Sequence, residues 1–232
     1  MSGNVMTNQT MMIQLENLNR SFDHAGNEVA VLKEINLNIR QGECVVLKGV
    51  SGSGKTTLLS LIAGLDKPSS GKVLIEGEPI SKLPDAFASE LRAKKIGMIF
   101  QHFNLFEHLS VNENVTIPLI PSGLKMNAIH QKVDQALKVA NIYHKKELLA
   151  SRLSGGEKQR TAIARALVAN PDIILCDEPT ANLDRDNSLL FIDILKELHS
   201  MGKTIVVATH DPLFDHLNFE STVIPMVDGT II

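Results

Sequence analysis

Aromatic side chains are scarce in this chain, whose 232 residues include no Trp, one Tyr and eight Phe. A core built on stacked rings is therefore excluded. Burial must rest on Leu, Ile, Val and Ala, within a hydrophobic share of 44%. Cysteine is nearly absent too. Cys44 and Cys176 lie in or beside apolar runs, so a disulfide framework is excluded and buried free thiols, suited to a reducing cytosol, are expected. No stretch approaches about 18 consecutive apolar residues, which excludes a membrane-spanning helix and leaves any membrane association to another protein. The opening MSGNVMTNQTMM lacks a basic patch followed by an apolar stretch, so no secretory signal is expected. Lys and Arg number 23 against 26 Asp and Glu, with no dense basic block. Nucleic acid is thus not an expected partner.

What is present is an ordinary balance for one α/β domain, expected to span 1–232. The N-terminal part reads as strands over Ile13–Leu18, Val29–Leu32, Ile35–Ile39 and Cys44–Leu47, followed by a glycine-rich turn and a helix at Thr56–Ala63. Another strand is expected at Lys72–Ile75. From Ser110 to Asn170 the pattern turns helical, with Ile129, Val133, Leu137 and Ala140 at helical spacing and a second helix over Gly156–Ala169. Continuous apolar strands at Ile173–Cys176 and Thr204–Ala208 flank a helix at Ser188–Leu198. Such strands alternating with helices indicate a parallel sheet covered on both faces.

Gly49-Val50-Ser51-Gly52-Ser53-Gly54-Lys55-Thr56 fits G-x-x-x-x-G-K-[ST], after a strand and before a helix. Glycines let backbone N–H groups curl around phosphates, and the helix N-terminus adds partial positive charge. Lys55 reaches the β- and γ-phosphates, and the Thr56 hydroxyl suits Mg²⁺. Thr57 extends this nucleotide-binding set. A purely structural glycine turn would not explain the strand–loop–helix setting.

Ile173-Ile174-Leu175-Cys176 ends in Asp177-Glu178. A carboxylate at the tip of a buried strand is costly unless paired or bound to metal. Beside a phosphate loop, Asp177 is expected to hold Mg²⁺ through its ligand water, and Glu178 to polarise an attacking water. Leu153-Ser154-Gly155-Gly156-Glu157-Lys158-Gln159-Arg160 opens another helix. Ser154 and two glycines there make a second anion-receptive helix N-terminus. One nucleotide cannot easily use two cradles of one protomer. A symmetric dimer resolves this, each cradle covering the other subunit's ATP.

With these motifs in this order, the sequence resembles the ABC ATPase family over about Ile13 to Gly229, and LSGGEKQR is similar to its signature. The resemblance implies a P-loop NTPase with a RecA-like core, an N-terminal antiparallel β subdomain and an inserted α-helical subdomain near 102–168. It implies that Gln101 is a glutamine that senses Mg²⁺ and faces a transmembrane partner, that Ala181-Asn182-Leu183-Asp184 crosses a dimer interface, and that His210 contacts the γ-phosphate. Phe22 stands where the family keeps an aromatic to stack on adenine. Implied partners are a second copy of the chain and an integral-membrane permease, with the subunit peripheral on the cytoplasmic face of the inner membrane.

The segments around Leu58–Asp66, Ile96–Gln101 and Asn114–Leu119 resemble the branch of lipoprotein-releasing, MacB-type efflux and FtsE ATPases. Ala181 replaces a common Gly there, and Glu107 a Pro or small residue. Methionine-type importers share much of the pattern and stay open as an alternative, as does a non-transport ABC ATPase. A chromosome-type ATPase would need a long coiled coil between the phosphate loop and the signature, yet Lys55 and Ser154 are only 99 positions apart. His102, Phe103, Leu105 and Phe106 concentrate apolar side chains after Gln101 and form an expected exposed docking patch.

Overall fold

The computed structural model describes residues 10–24 and 26–232, so most of the N-terminal stretch weighed above as a possible signal lies outside the described residues. β1 (Met11–His24) and β2 (Asn27–Arg40) form a long antiparallel pair. The sequence suggested a break in β2 at Lys33-Glu34. The ladder instead runs through it, with Asn17 and Glu34 at φ 45° and 50°. Asparagine side chains make this possible. Asn36 Oδ1 accepts from Asn17 N–H and Asn19 Oδ1 from Glu34 N–H, both at 2.9 Å, so the bulged backbone donors stay satisfied. β4 (Ser70–Ile75) and β5 (Glu78–Pro79) extend this sheet in the order β2-β1-β4-β5.

The second sheet contains β3 (Cys44–Lys48), β6 (Ile96–Ile99), β7 (Ile173–Asp177), β8 (Thr204–Thr209), β9 (Thr222–Val227) and β10 (Thr230–Ile231). Its order is β10-β9-β3-β8-β7-β6, parallel throughout except for the β9/β10 hairpin. Six α-helices accompany the sheets among the described residues: α1 (Lys55–Ile62), α2 (Asp85–Lys95), α3 (Val111–Thr116), α4 (Met126–Val139), α5 (Gly155–Leu167) and α6 (Arg185–Ser200).

Strand alternation divides the apolar side chains between two cores. Val45, Leu47, Ile173, Leu175, Val206 and Ala208 face α1 and the antiparallel sheet. Cys44, Val46, Ile174, Cys176, Ile205 and Val207 face the opposite layer, built from α3, α4, α5 and α6. This is the doubly covered parallel sheet expected from the apolar strands, with the antiparallel sheet added on one side. Both cysteines are free and buried. Burial pushes the Cys44 thiol up to about 12 and raises Cys176 as well, so neither is a nucleophile at neutral pH.

Between β6 and α3 the chain makes an irregular turn, Gln101 to Ser110, held from inside. Asn114 of α3 is fully buried; its amide donates to the carbonyls of Phe106, Leu109 and Ser110, and its Oδ1 accepts from Phe106 N–H at 2.8 Å. At its start, Phe103 and Asn104 both take left-handed backbone angles, φ 55° and 50°. Arg165 of α5 donates to both of their carbonyls. Asn114→Ala would leave Phe106 N–H without its partner and take one of two donors from the carbonyls of Phe106, Leu109 and Ser110. A loss of about 1–3 kcal/mol is expected, the cost of one unsatisfied buried group. Thermal or urea denaturation measures it, and an unchanged midpoint would refute this account of the turn.

Candidate active site

The carboxyl ends of β3, β7 and β8 meet at one edge of the sheet, and the sequence-predicted residues of the phosphate loop, the Asp177-Glu178 pair, Gln101 and His210 gather there. After Lys48 the chain curls from Gly49 to Gly54 and enters α1. Gly54 is its N-cap at φ 98°, a conformation open to glycine. A Cβ at Gly54 would also press on Leu32. α1 has neither a side-chain cap nor an acidic residue in its first turn, so its leading N–H groups and positive end face the loop. By contrast, side-chain oxygens of Ser110, Ser154 and Asp184 cap α3, α5 and α6.

Inside the loop, Lys55 is 5% exposed. Its Nζ donates to the carbonyls of Gly49 and Val50 at 2.7 and 3.0 Å and lies 3.5 Å from Glu178 Oε1. The Thr56 hydroxyl donates to Asp177 Oδ1 at 2.9 Å. Ser53 Oγ is buried without a hydrogen-bond partner. Such an orphan is costly, and a phosphate oxygen is the kind of acceptor that would relieve it.

Glu178 follows β7 at φ 43°. Its Oε2 accepts from the Thr209 hydroxyl at 3.0 Å and from His210 N–H at 3.3 Å, and lies 3.0 Å from His210 Nδ1. The Thr180 hydroxyl donates to Asp211 Oδ2 at 2.7 Å, locking the segments after β7 and β8 together. A cleft of about 390 Å³ opens over these groups, lined by Ser51 through Thr57, Gln101, Glu178, His210 and Val31. Sequence reasoning missed Val31: on a strand, nothing distinguishes a cleft wall from a core valine. Phe22 sits on β1, 41% exposed, with the Arg20 guanidinium 4.2 Å from its ring centre. It does not line the cleft.

Ser154, Gly155 and Gly156 are not in the cleft either; they lie at the start of α5. Ser154 and Glu157 form a reciprocal capping box, with Ser154 N–H donating to Glu157 at 2.8 Å. That hydrogen bond, ahead of the others, holds the Glu157 carboxyl below its usual range. Gly156 has an internal reason to be glycine: a Cβ there would collide with the Asn187 side chain. Gln159 donates to the Pro179 carbonyl at 3.0 Å, tying α5 to the segment just after Glu178. The patch expected after Gln101 is only partly exposed. Leu105 packs on the core and Phe103 is half-buried, leaving His102 and Phe106 outward, with Phe106 49% exposed. The Arg165 clamp turns the chain inward and accounts for this correction.

Against known proteins, a family model described as ABC transporter matches residues 32–181. The chain is 40% identical to the macrolide export ATP-binding/permease protein MacB of Chlorobium luteolum over 98% of its own length, and spans 34% of that relative. It is 41% identical to the lipoprotein-releasing system ATP-binding protein LolD of Pseudoalteromonas translucida, covering 87% of each chain. Two solved structures of the cassette MJ0796 superpose well. A dimeric one has TM-score 0.88 at 39% identity, covering 95% of this chain and 96% of that one. A dimeric post-hydrolysis state bound to ADP and Pi has TM-score 0.87 at 38% identity with the same coverage.

Asp177 reverses the usual behaviour of a carboxylate. Burial raises its pKa, with Glu178 adding to this, against the lowering effects of Thr56 and Lys55. A raised folded-state pKa means stability is greatest with the proton on, and falls as pH climbs from the ordinary carboxylate range through the raised value. The carboxylate form of Asp177 is therefore penalised by its surroundings in the nucleotide-free fold. Asp177→Asn should raise the melting temperature of nucleotide-free protein at pH 7. An equal or lower value by calorimetry would contradict this.

Proposed function

This chain belongs to the ABC transporter family as an ATP-binding ATPase subunit, and from that premise we propose that it hydrolyses Mg-ATP at a site completed by a second copy of itself. The single observation behind the chemistry is the grouping of Glu178, Thr209 and His210 over the phosphate loop, with Lys55 and the Thr56–Asp177 pair beside it. Phosphoryl transfer is catalysed mainly by positioning and charge stabilisation, and each residue supplies part of that.

In this reading the N–H groups from Ser51 to Thr57 and the Lys55 ammonium hold the phosphates, and the Ser53 hydroxyl gains its missing partner. Thr56, Asp177 and Gln101 would hold Mg²⁺, an all-oxygen set of the kind that ion prefers. The ion, when bound, neutralises charge on the β- and γ-phosphates. Glu178 orients the attacking water and draws off its proton, while His210, hydrogen-bonded to Glu178, steadies the γ-phosphate. Phe22 stacks on the adenine, its plane supported by Arg20. Ser154, Gly155 and Gly156 close over the partner's ATP from the N-terminus of α5. Binding thus joins two subunits, and hydrolysis loosens them.

The chain's own role is then to move a separate permease, as expected for relatives of LolD and of the MacB ATP-binding portion. It would sit on the cytoplasmic face of the membrane through that permease; no helix among the described residues is long and apolar enough to cross one. Residues 102–168 form the helical subdomain that meets the permease, beginning at the turn after Gln101.

Two experiments test this. Glu178→Gln should bind ATP normally while turnover falls roughly 10²- to 10⁴-fold, the usual contribution of a positioned acid–base group. The variant should accumulate as an ATP-bound dimer by light scattering, and adding Ser154→Arg should return it to monomers. Normal turnover would remove Glu178 from the mechanism; a persistent dimer in the double variant would remove Ser154. For the permease surface, Phe106→Asp should keep basal ATPase activity and fold but lose co-purification with the cognate permease. Normal assembly would move the docking surface elsewhere.

A further inference from the structure

Lys48 is a largely buried cation next to the cleft that the mechanism above does not use. It is the last residue of β3, immediately before Gly49. Alternation points it away from α1, onto the face shared with Cys44 and Val46. There its Nζ donates to the Asp211 carbonyl at 2.8 Å and pairs with Asp215 Oδ1 at 2.6 Å. An apolar side chain at this strand tip would avoid the cost of desolvating an ammonium. The two oxygens offset that cost, and both belong to one short segment.

That segment begins at His210. The His210 ring is 64% exposed, with Glu178 as its hydrogen-bond partner, so its direction is set chiefly by the backbone beneath it. Asp211, the next residue, is gripped on several sides. Its N–H donates to Thr209 Oγ1 at 3.0 Å, and its carboxylate accepts from Thr180 at 2.7 Å and from Leu213 N–H at 2.9 Å. Its carbonyl is held by Lys48. Thr180 anchors the turn to the strand that carries Glu178, and Lys48 anchors it to the strand that carries the phosphate loop.

We infer that Lys48, with Asp215 as its counter-ion, is a positioning residue for hydrolysis, holding the turn that presents His210 to Glu178 and the γ-phosphate. This rests on the role given to His210 above. Lys48 is not among the residues lining the cleft, and its effect passes through the Asp211 backbone. Losing it should affect the rate and leave ATP binding alone.

The test is steady-state ATP hydrolysis by the full chain in five variants. Lys48→Met should lower kcat about 10- to 100-fold, the penalty of a slightly misplaced group, with KM for ATP within about twofold. Lys48→Arg, which keeps the donors, should recover most of the rate. Asp215→Asn should show a smaller fall in the same direction, and it stands in for Lys48→Met should that variant fail to fold. The decisive readout is the combination with His210→Ala. If Lys48 acts through His210, Lys48→Met should cost nothing further on the residual rate of that background. An undiminished kcat in Lys48→Met, or an equal loss with and without His210, overturns the inference and leaves the proposed mechanism standing. Normal hydrolysis by His210→Ala alone sinks both.

Discussion

The pairing register of the central parallel strands is the constraint on which the cleft depends. Lys48 lies opposite Thr209, and Asp177 opposite Ala208. The phosphate loop, the Asp177-Glu178 pair and His210 therefore leave the sheet at one level, from the carboxyl ends of adjacent strands, where open α/β sheets bind ligands. Register is enforced from below. A slip of one residue would turn Val46 and Val207 toward α1 and send Val45 and Val206 into the helical layer, exchanging the two cores. The chemistry is thus aligned by the burial of valines and isoleucines that never touch a ligand.

The cleft is tuned against its own empty state. Ser53 Oγ has no partner, Asp177 sits in a place that disfavours its charge, and Glu178 holds a backbone angle uncommon for its side chain. Each feature costs stability without ligand; a phosphate oxygen would relieve the first and a cation the second. Binding that favours the folded state then adds stability by mass action. The central sheet, with its fully buried strands, supplies the reserve that allows these local costs.

Much of this was legible in the sequence because it is carried by short-range patterns. The phosphate loop is eight consecutive residues, and the start of α5 is marked by Ser154 and two glycines. The apolar strands ending in Asp177 and Thr209 announce a parallel sheet by their composition. Helix α2 was not anticipated, because only Ala88 of its eleven residues is buried and no apolar stripe marks it. The continuity of β2 was hidden because Lys33-Glu34 reads as a break, and only Asn17, Asn19 and Asn36 across the ladder explain why it is not. The long-range polar contacts were invisible in principle. Lys48 and Asp215, or Arg165 and the Phe103 carbonyl, are brought together by topology, and no spacing rule connects them. The same holds for the inward turn of Leu105, which composition alone presented as surface.

The Arg165 contacts have a mechanical consequence. Eleven residues of α5 separate Ser154 at one tip from Arg165 near the other, roughly 16 Å of helix at 1.5 Å per residue. At its far end the guanidinium grips two successive carbonyls of the turn that follows Gln101. A helix is stiff along its axis, and a forked double contact resists both sliding and twisting. The tip at Ser154 and the turn at Phe103-Asn104 are thus two ends of one strut. A push at either end reaches the other as displacement, with little lost to bending in between.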